Sequence, residues 1–310
     1  MKWDKKGLIC SHQTLDLDWY QKNTMVPVPY LIDGMTLRIF VTMCDSDNVG
    51  RIGYIDVNPD KPSEIIDYSK EPVLDIGEDG AFDDNGVVTA SVYEEGDLLY
   101  MYYSGYQLGV KVPYYIFAGL AVSQDKGKSF DRFSRVPVLD RTSTEIMTRC
   151  VPDVIKENGR YRMFYVGDHK TGWVEKLGQK KPLYYLKCLY SDDFRKWESK
   201  EGERCIFLKE DGDEHGIAKC TIWEEDNKYK MIYSIRSLSK GYRLGYAESS
   251  DKVGFVRMDD KVGIDVSSSG FDSEMICFAS RFKRREKVYL FYCGNHYGMA
   301  GFGYAELVND

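Results

Sequence analysis

The stretch NGRYRMFYVG (Asn158–Gly167) decides the fold, because the chain repeats it. A charged or glycine-containing turn precedes a short apolar strand, and the same strand pattern returns as RIFVTM, LLYMYYSG, KYKMIYSI and VYLFYCG. An apolar run in front of each turn completes a β-hairpin. The steps between copies are 62, 62, 68 and 59 residues, measured between the aligned residues Ile39, Met101, Met163, Met231 and Leu290.

A third strand follows each hairpin, as in GLAVSQD from Gly119 and GYAESSD from Gly245, and a short fourth strand follows in the first four repeats. Four short strands in each of five repeats predict an all-β, five-bladed β-propeller with four antiparallel strands per blade. The fifth repeat stops after its third strand. We expect the N-terminal segment Gly7–Cys10 to join this last blade and close the ring, with residues 1–310 forming one domain.

Composition narrows the function classes. The formal charge is −7 with scattered Lys and Arg, which predicts no nucleic-acid partner. No apolar run is long enough for a signal peptide or a membrane span, so we expect a cytoplasmic protein without a membrane partner. None of the eight cysteines forms a C-x-x-C pair, so we expect no structural zinc or other cofactor. Several of them lie in apolar strand patterns, which predicts buried, reduced thiols. The 24 tyrosines favour strands and sugar-stacking platforms.

Ionisable residues recur at the predicted entrance of the innermost strands. Asp84 and Glu214 each lie 17 residues before the aligned Met of their repeat, and Glu274 lies 16 before Leu290. Charged groups at the mouth of a narrow channel must be solvated or paired, so their convergence indicates a functional cluster. Their predicted neighbours at the same end are Asp83, Arg149 and His215.

The loops after the middle strands provide a second set of polar and aromatic side chains. We predict that they bind a hydroxyl-rich ligand, with hydrogen bonds from the polar groups and stacking by the indole. The members of this set are Arg51, Tyr106, Asp168, His169, Trp173, Arg236, Asn295 and His296. The Lys-rich segment 170–181 beside them is predicted to be a long, mobile loop that caps the funnel.

The repeated NGRYRMFYVG and GYAESSD patterns and the FDDNGV stretch (Phe82–Val87) resemble the five-bladed propeller glycoside hydrolases and phosphorylases. That superfamily includes arabinanases, xylosidases, invertase-like enzymes and mannoside phosphorylases. The resemblance covers nearly the whole chain and implies catalytic carboxylates from different blades. Asp84 and Glu274 match its acid and base, and Glu214 matches the third carboxylate or an alternate acid. Asp83, Arg149 and His215 would orient them or hold the sugar.

The expected function is therefore a carbohydrate-active enzyme, a glycoside hydrolase acting on a sugar or oligosaccharide. The invertase-type WMNDPNG and phosphorylase-type EDPR motifs are missing, which indicates a diverged subfamily. Two alternatives stay open. One is a phosphorylase or transferase-like enzyme on an activated sugar, with Arg149, Lys219 and Arg236 as its phosphate site. The other is a carbohydrate-binding or scaffold propeller without turnover.

Overall fold

The computed structural model describes residues 1–176, 178–209, 212–250 and 254–309. It confirms the all-β class, because the described chain contains only a 3-10 turn (Asp259–Lys261) and one helical turn (Asn295–Gly298) besides strands. No helix in these ranges is long and apolar enough to cross a membrane.

Twenty strands account for the regular structure. In chain order they are β1 (Lys2–Cys10), β2 (Thr24–Leu31), β3 (Leu37–Cys44), β4 (Gly50–Asn58), β5 (Lys61–Tyr68), β6 (Val87–Glu95), β7 (Leu98–Leu108), β8 (Tyr114–Ser123), β9 (Asp131–Arg132), β10 (Thr148–Glu157), β11 (Arg160–Lys176), β12 (Gln179–Ser191), β13 (Glu203–Arg204), β14 (Glu214–Glu225), β15 (Lys228–Ser237), β16 (Gly241–Ser249), β17 (Val256–Arg257), β18 (Cys277–Arg284), β19 (Lys287–Cys293) and β20 (Phe302–Asn309).

Antiparallel pairing sorts these strands into five groups of four, which we call units 1 to 5. Unit 1 is β2–β5, unit 2 is β6–β9, unit 3 is β10–β13 and unit 4 is β14–β17. Unit 5 is β18–β20 completed by β1, so the N-terminal strand pairs where the sequence predicts. Short parallel bridges also join the third strand of unit 2 to the start of the first strand of unit 3, and the third strand of unit 3 to the start of the first strand of unit 4.

The apolar core lies between neighbouring units. Five buried clusters fill the interfaces between units 1 and 2, 2 and 3, 3 and 4, 4 and 5, and 5 and 1. A sixth cluster lies where the first strands converge. The first strands contact one another in the circuit β2, β6, β10, β14, β18 and back to β2. Each sheet therefore buries both faces against neighbours, and the units form a closed, propeller-like arrangement.

Every first strand carries a β-bulge at a comparable position, and in units 1, 2, 3 and 5 a backbone N–H beside the bulge donates to the neighbouring unit. Three bulge residues, Val26, Val151 and Phe278, have positive φ angles of 54°, 48° and 54°, which is strained for such side chains. A hydrogen-bond partner on the neighbouring unit stabilises each of them.

The acceptor of each inter-unit hydrogen bond is a second-strand side chain. It lies three residues after the residue that aligns the repeats, for example Ser104 after Met101 and Ser234 after Met231. The Val151 N–H donates to Ser104 Oγ at 2.9 Å, and the Phe278 N–H donates to Ser234 Oγ at 2.8 Å. The same arrangement joins Thr89 to Thr42 Oγ1 at 2.9 Å and Val26 to Cys293 Sγ at 3.1 Å. In unit 3 the corresponding side chain is Val166, which has no acceptor atom.

The segment 170–181 is not the loop that the sequence predicts. Strands β11 and β12 continue through most of it as a long hairpin, with Trp173 opposite Pro182 and Glu175 opposite Lys180. Four consecutive residues, 173–176, pair with residues 179–182 across the hairpin in spite of the glycines and lysines of this segment. Leu177 lies outside the described residues.

We predict that Ser234→Ala lowers the free energy of unfolding by about 1–3 kcal/mol, because the buried Phe278 N–H loses its acceptor. Urea denaturation measures the change. Ser63→Ala, on the exposed outer strand β5, is the matched control and should stay within about 0.5 kcal/mol of wild type. An S234A protein as stable as the control would contradict the role of this hydrogen bond.

Candidate functional site

A cavity of about 310 Å³ lies where the five units meet, and every unit contributes to its wall. Tyrosine is the most frequent residue of the described lining, with five members, and the others are seven small or apolar side chains, two asparagines, two thiols, one threonine and one arginine. The lining residues are Asn23, Met25, Cys44, Asn48, Tyr106, Tyr114, Ile116, Thr148, Cys150, Val151, Val166, Pro182, Tyr184, Ala218, Arg236, Tyr242, Phe278 and Tyr297.

Strand ends place the tyrosines. Tyr114 and Tyr242 lie at or near the beginning of the third strands β8 and β16, and Tyr106 lies near the end of the second strand β7. Tyr184 lies in the middle of the longer third strand β12. Antiparallel pairing brings these two kinds of strand end to the same edge of the sheet. Tyr297 follows the second strand of unit 5 and has a left-handed backbone with φ 59°.

Arg236 is the cation of the cavity wall. Its Nη1 donates to Tyr184 Oη at 3.4 Å and its Nη2 donates to Tyr297 Oη at 3.1 Å. Its guanidinium lies 5.6 Å from the ring centre of Tyr242 and 5.7 Å from that of Tyr297. The Tyr184 and Tyr242 hydroxyls are 2.5 Å apart, so one donates to the other.

Burial controls the ionisation of the wall. It raises the pKa of Tyr106, Tyr114, Tyr184 and Tyr242, so their hydroxyls stay protonated near neutral pH and can donate hydrogen bonds. Burial also raises the pKa of the Cys44 thiol to about 12, so this group is an unreactive part of the wall. No Asp or Glu occurs among the described lining residues.

The three carboxylates predicted to be catalytic lie in different surroundings. Asp84 is half-buried, accepts the Gly80 N–H at 3.0 Å and lines a groove at the rim together with Gln107. Glu274 lines another rim groove, with a side chain 65% exposed and its Oε2 3.3 Å from His296 Nε2. Tyr297 belongs to both that groove and the central cavity.

Glu214 is buried and does not belong to the described lining of the cavity. It accepts a bidentate hydrogen bond from Arg257, at 2.7 and 2.8 Å, and the Lys209 N–H at 2.8 Å. Its neighbour His215 is also buried, and its Nδ1 lies 2.9 Å from the carbonyl oxygen of Pro182, a residue of the cavity wall. Glu214 is therefore engaged in an ion pair with Arg257, and His215 contacts the backbone of a wall residue without lining the cavity itself.

Asp83 and Arg149 take part in a repeated buried motif, in which a second-strand tyrosine donates to a carboxylate that also holds a cation. Tyr103 Oη donates to Asp83 Oδ2 at 3.0 Å, and Arg132 Nε lies 2.8 Å from the same oxygen. Arg149 lies beside Glu145, which accepts from Tyr165. The corresponding groups in units 4 and 5 are Tyr233, Asp259 and Arg257, and Tyr292, Asp272 and Lys5.

Asp168 and Asn295 hold the loops in front of their own first strands. Asp168 is buried, and its carboxylate accepts the N–H groups of residues 146, 147 and 148 at 3.2–3.5 Å. Asn295 Oδ1 accepts the N–H groups of Glu274 and Met275 at 2.7 and 3.1 Å. Both side chains shape the rim through backbone contacts.

The remaining predicted residues lie around the rim. Arg51 pairs with Asp45 and Asp75 at 2.7 and 2.8 Å, and Trp173 Nε1 contacts Met147 Sδ at 2.7 Å. His296 has a left-handed backbone with φ 53° and pairs with Glu274. The side chain of His169 lies outside the described part of the structure.

Of the fourteen residues predicted for the site, Tyr106 and Arg236 line the central cavity. The sequence reasoning missed Tyr114, Tyr184 and Tyr242 there. The common position of Tyr184 and Tyr242 in the repeat could have indicated them. The aligned residues Met101, Met163 and Met231 each pair with a residue of the third strand, and the residues five positions before those partners are Ile116, Tyr184 and Tyr242. No group of three His, Cys, Asp or Glu side chains within the described ranges could hold a metal ion.

We predict that Asp168→Ala and Asn295→Ala each loosen a different part of the rim. In D168A, amide hydrogen exchange at residues 146–148 should accelerate at least about tenfold, since their shared acceptor is lost, while residues 274 and 275 keep the wild-type rate. N295A should show the reverse. Exchange followed by mass spectrometry measures both, so each variant is the control for the other. Unchanged rates in both would contradict the loop-holding role.

No family model matches the sequence. Two Mycobacterium tuberculosis relatives do, namely Uncharacterized protein Rv1502 (strain ATCC 25618 / H37Rv) and Uncharacterized protein MT1551 (strain CDC 1551 / Oshkosh). Each is 32% identical to this chain, over 310 and 311 residues respectively, with 100% of both proteins covered.

Three solved structures show the same fold. A complex of BT0996 with RGII matches with a TM-score of 0.72 at 19% identity, covering 97% of this protein and 90% of the other. A thermostable family-43 glycoside hydrolase matches with a TM-score of 0.69 at 14% identity, covering 92% and 88%. The third structure represents the GH130 family of mannoside phosphorylases, which contains glycoside hydrolases that target β-1,2-mannosidic linkages in Candida mannan. Its TM-score is 0.71 at 15% identity, covering 99% and 90%.

These structures confirm, at the level of the fold, the resemblance that the repeated hairpins indicate. The two full-length relatives define the family. The chain belongs to the same protein family as Rv1502 and MT1551, and it has the propeller-like all-β fold of glycoside hydrolases.

Proposed function

We propose that the five units are the blades of a five-bladed propeller, that residues 1–310 form a single domain, and that the central cavity is its ligand site. The closed circuit of first-strand contacts and the five inter-unit clusters support this architecture. Propellers use the channel where the blades converge as a binding site, because residues from every blade meet there.

The proposed function is that of a carbohydrate-active enzyme, a glycoside hydrolase whose sugar binds in the central cavity. The observation that carries it is the wall of five tyrosines from units 2 to 5, in a fold that glycoside hydrolases share. Tyrosine rings offer flat apolar faces to the C–H side of a sugar, and their hydroxyls bond to its hydroxyl groups. The volume of about 310 Å³ is at the lower end of the range for small-molecule sites.

In this proposal Asp84 and Glu274 act as the acid and base from the rim. Asp84 lies close to the cavity because the N–H of the next residue, Asn85, donates to the backbone carbonyl of Tyr106, a lining residue. Glu274 lies close to the cavity because its groove shares Tyr297 with the cavity wall. A half-buried and an exposed carboxyl group give the two different environments that acid and base roles require. Glu214, held by Arg257, has an orienting role.

A second candidate is a phosphorylase or transferase-like enzyme on an activated sugar. Arg236 favours it, because a guanidinium in the cavity wall can receive a phosphate group. Arg149 and Lys219, which the sequence offered for the same purpose, are buried outside the described lining. Arg149 bonds to the carbonyl oxygens of Asp140 and Lys200, so the phosphate site of this candidate reduces to Arg236.

We predict that Asp84→Asn and Glu274→Gln each lower kcat/KM by at least about 100-fold, because each removes one proton-transfer group. The assay follows sugar release from a panel of aryl glycosides and oligosaccharides, with and without inorganic phosphate. Exposed Asp79→Asn, from the same groove as Asp84, and exposed Glu286→Gln are the matched controls and should keep the wild-type rate.

Full activity in both D84N and E274Q would refute the acid–base assignment. Turnover that requires phosphate would select the second candidate over hydrolysis. A wild-type protein that binds sugars in the cavity without any turnover would reject the enzyme proposal in favour of a binding module.

A further inference from the structure

The described lining of the central cavity contains a cation without a counterion. Several other arginines that are buried or half-buried pair with carboxylates, as Arg38 does with Asp56 at 2.7 Å and Arg257 with Glu214 at 2.7 Å. Among the described residues, no carboxylate lies within ion-pair distance of Arg236. Its hydrogen-bond partners are the neutral hydroxyls of Tyr184 and Tyr297.

This arrangement is unfavourable in the empty protein. A guanidinium that is partly removed from water loses hydration, and tyrosine hydroxyls return only part of that energy because they carry no net charge. Such a site is stabilised when an anion enters and accepts the fork of two N–H groups. The contacts of 3.4 and 3.1 Å to the tyrosines are long enough to be exchanged for shorter ones to an anion.

The groups around Arg236 also fit an anion. Tyr114, Tyr184, Tyr242 and Tyr297 place their hydroxyls in the same wall, and the raised pKa of the first three keeps them as hydrogen-bond donors. No carboxylate in the described lining would repel a negative charge. The exposed acidic group of unit 5 at the rim, Glu274, is held beside His296 in a separate groove.

We propose that the ligand of the central cavity is a sugar that carries an anionic group, a carboxylate or a phosphate ester, and that Arg236 anchors this group. Tyr297 and one member of the hydrogen-bonded pair Tyr184 and Tyr242 donate hydrogen bonds to the same anion, and the ring of Tyr106 lies against the sugar. This inference rests on the proposed function and narrows its substrate class from sugars in general to acidic or phosphorylated sugars. Arg236 is then a specificity-determining residue, whichever reaction follows.

The test is isothermal titration calorimetry of the full chain with three matched probes: glucose 6-phosphate, glucuronate and glucose. The wild-type protein should bind at least one anionic probe at least about tenfold more tightly than glucose, and the comparison of the two identifies the anion. Arg236→Gln should reduce that preference to less than about threefold. Tyr297→Phe, which removes a partly exposed hydroxyl, should weaken anion binding about threefold with the fold intact.

Arg160→Gln is the matched control, since Arg160 forms an exposed ion pair with Asp192 on the outer surface and should leave binding unchanged. If wild type binds glucose as tightly as both anionic probes, or if R236Q keeps the preference, the inference is overturned while the sugar site stands. If none of the three probes binds, the inference fails; the proposed function fails with it only if the glycoside panel is also not turned over.

Discussion

Four of the five junctions between neighbouring units depend on a hydrogen bond that forms beside a β-bulge. At each bulge the ladder of the first strand is interrupted, and in units 1, 2, 3 and 5 an N–H group there finds its acceptor on the neighbouring unit. Ser104, Ser234, Thr42 and Cys293 provide these acceptors from the neighbouring unit, and the Cys293 contact links unit 1 back to unit 5. Because the bond is available only when the bulge of one unit faces the second strand of the next, it fixes how adjacent units face each other. The starts of the first strands are then held together, and the central cavity is the space that they enclose.

The requirement that buried polar groups find partners also explains the chemistry of the cavity. Three carboxylates near the funnel are used by the scaffold: Asp83, which the sequence analysis predicts for the site, and Glu145 and Asp272 each join a tyrosine to a cation. These contacts secure the segments that lead into the first strands, as Asp168 and Asn295 do through backbone N–H groups. What remains for a ligand, within the described lining, is a set of aromatic faces, neutral polar groups and one guanidinium. A site of this kind recognises a sugar by stacking and an anion by charge.

The fold could be predicted in outline from the sequence, because a strand–turn–strand pattern that returns five times has few other solutions. The pairing of the N-terminal strand followed from counting the strands of the last repeat. Tyr106 and Arg236 were found because they lie five residues after the aligned second-strand positions. Tyr184 and Tyr242 were missed because hairpins of unequal length precede them, so their common position becomes visible only from the register of the third strands. Asp83 and Asp168 look like ligand-binding residues in a sequence, since their backbone and tyrosine partners are revealed only by the fold. The catalytic roles of Asp84, Glu214 and Glu274 stay predictions.

An anionic sugar in the cavity where the five units meet would be directly visible in a crystal structure of the protein soaked with glucuronate or glucose 6-phosphate. We expect electron density in the central cavity, with the anionic group in hydrogen-bond contact with Arg236 Nη1 or Nη2 and the sugar ring against Tyr106. Density for the sugar only in the rim grooves of Asp84 or Glu274, with Arg236 still bonded to Tyr184 and Tyr297, would contradict the proposed site.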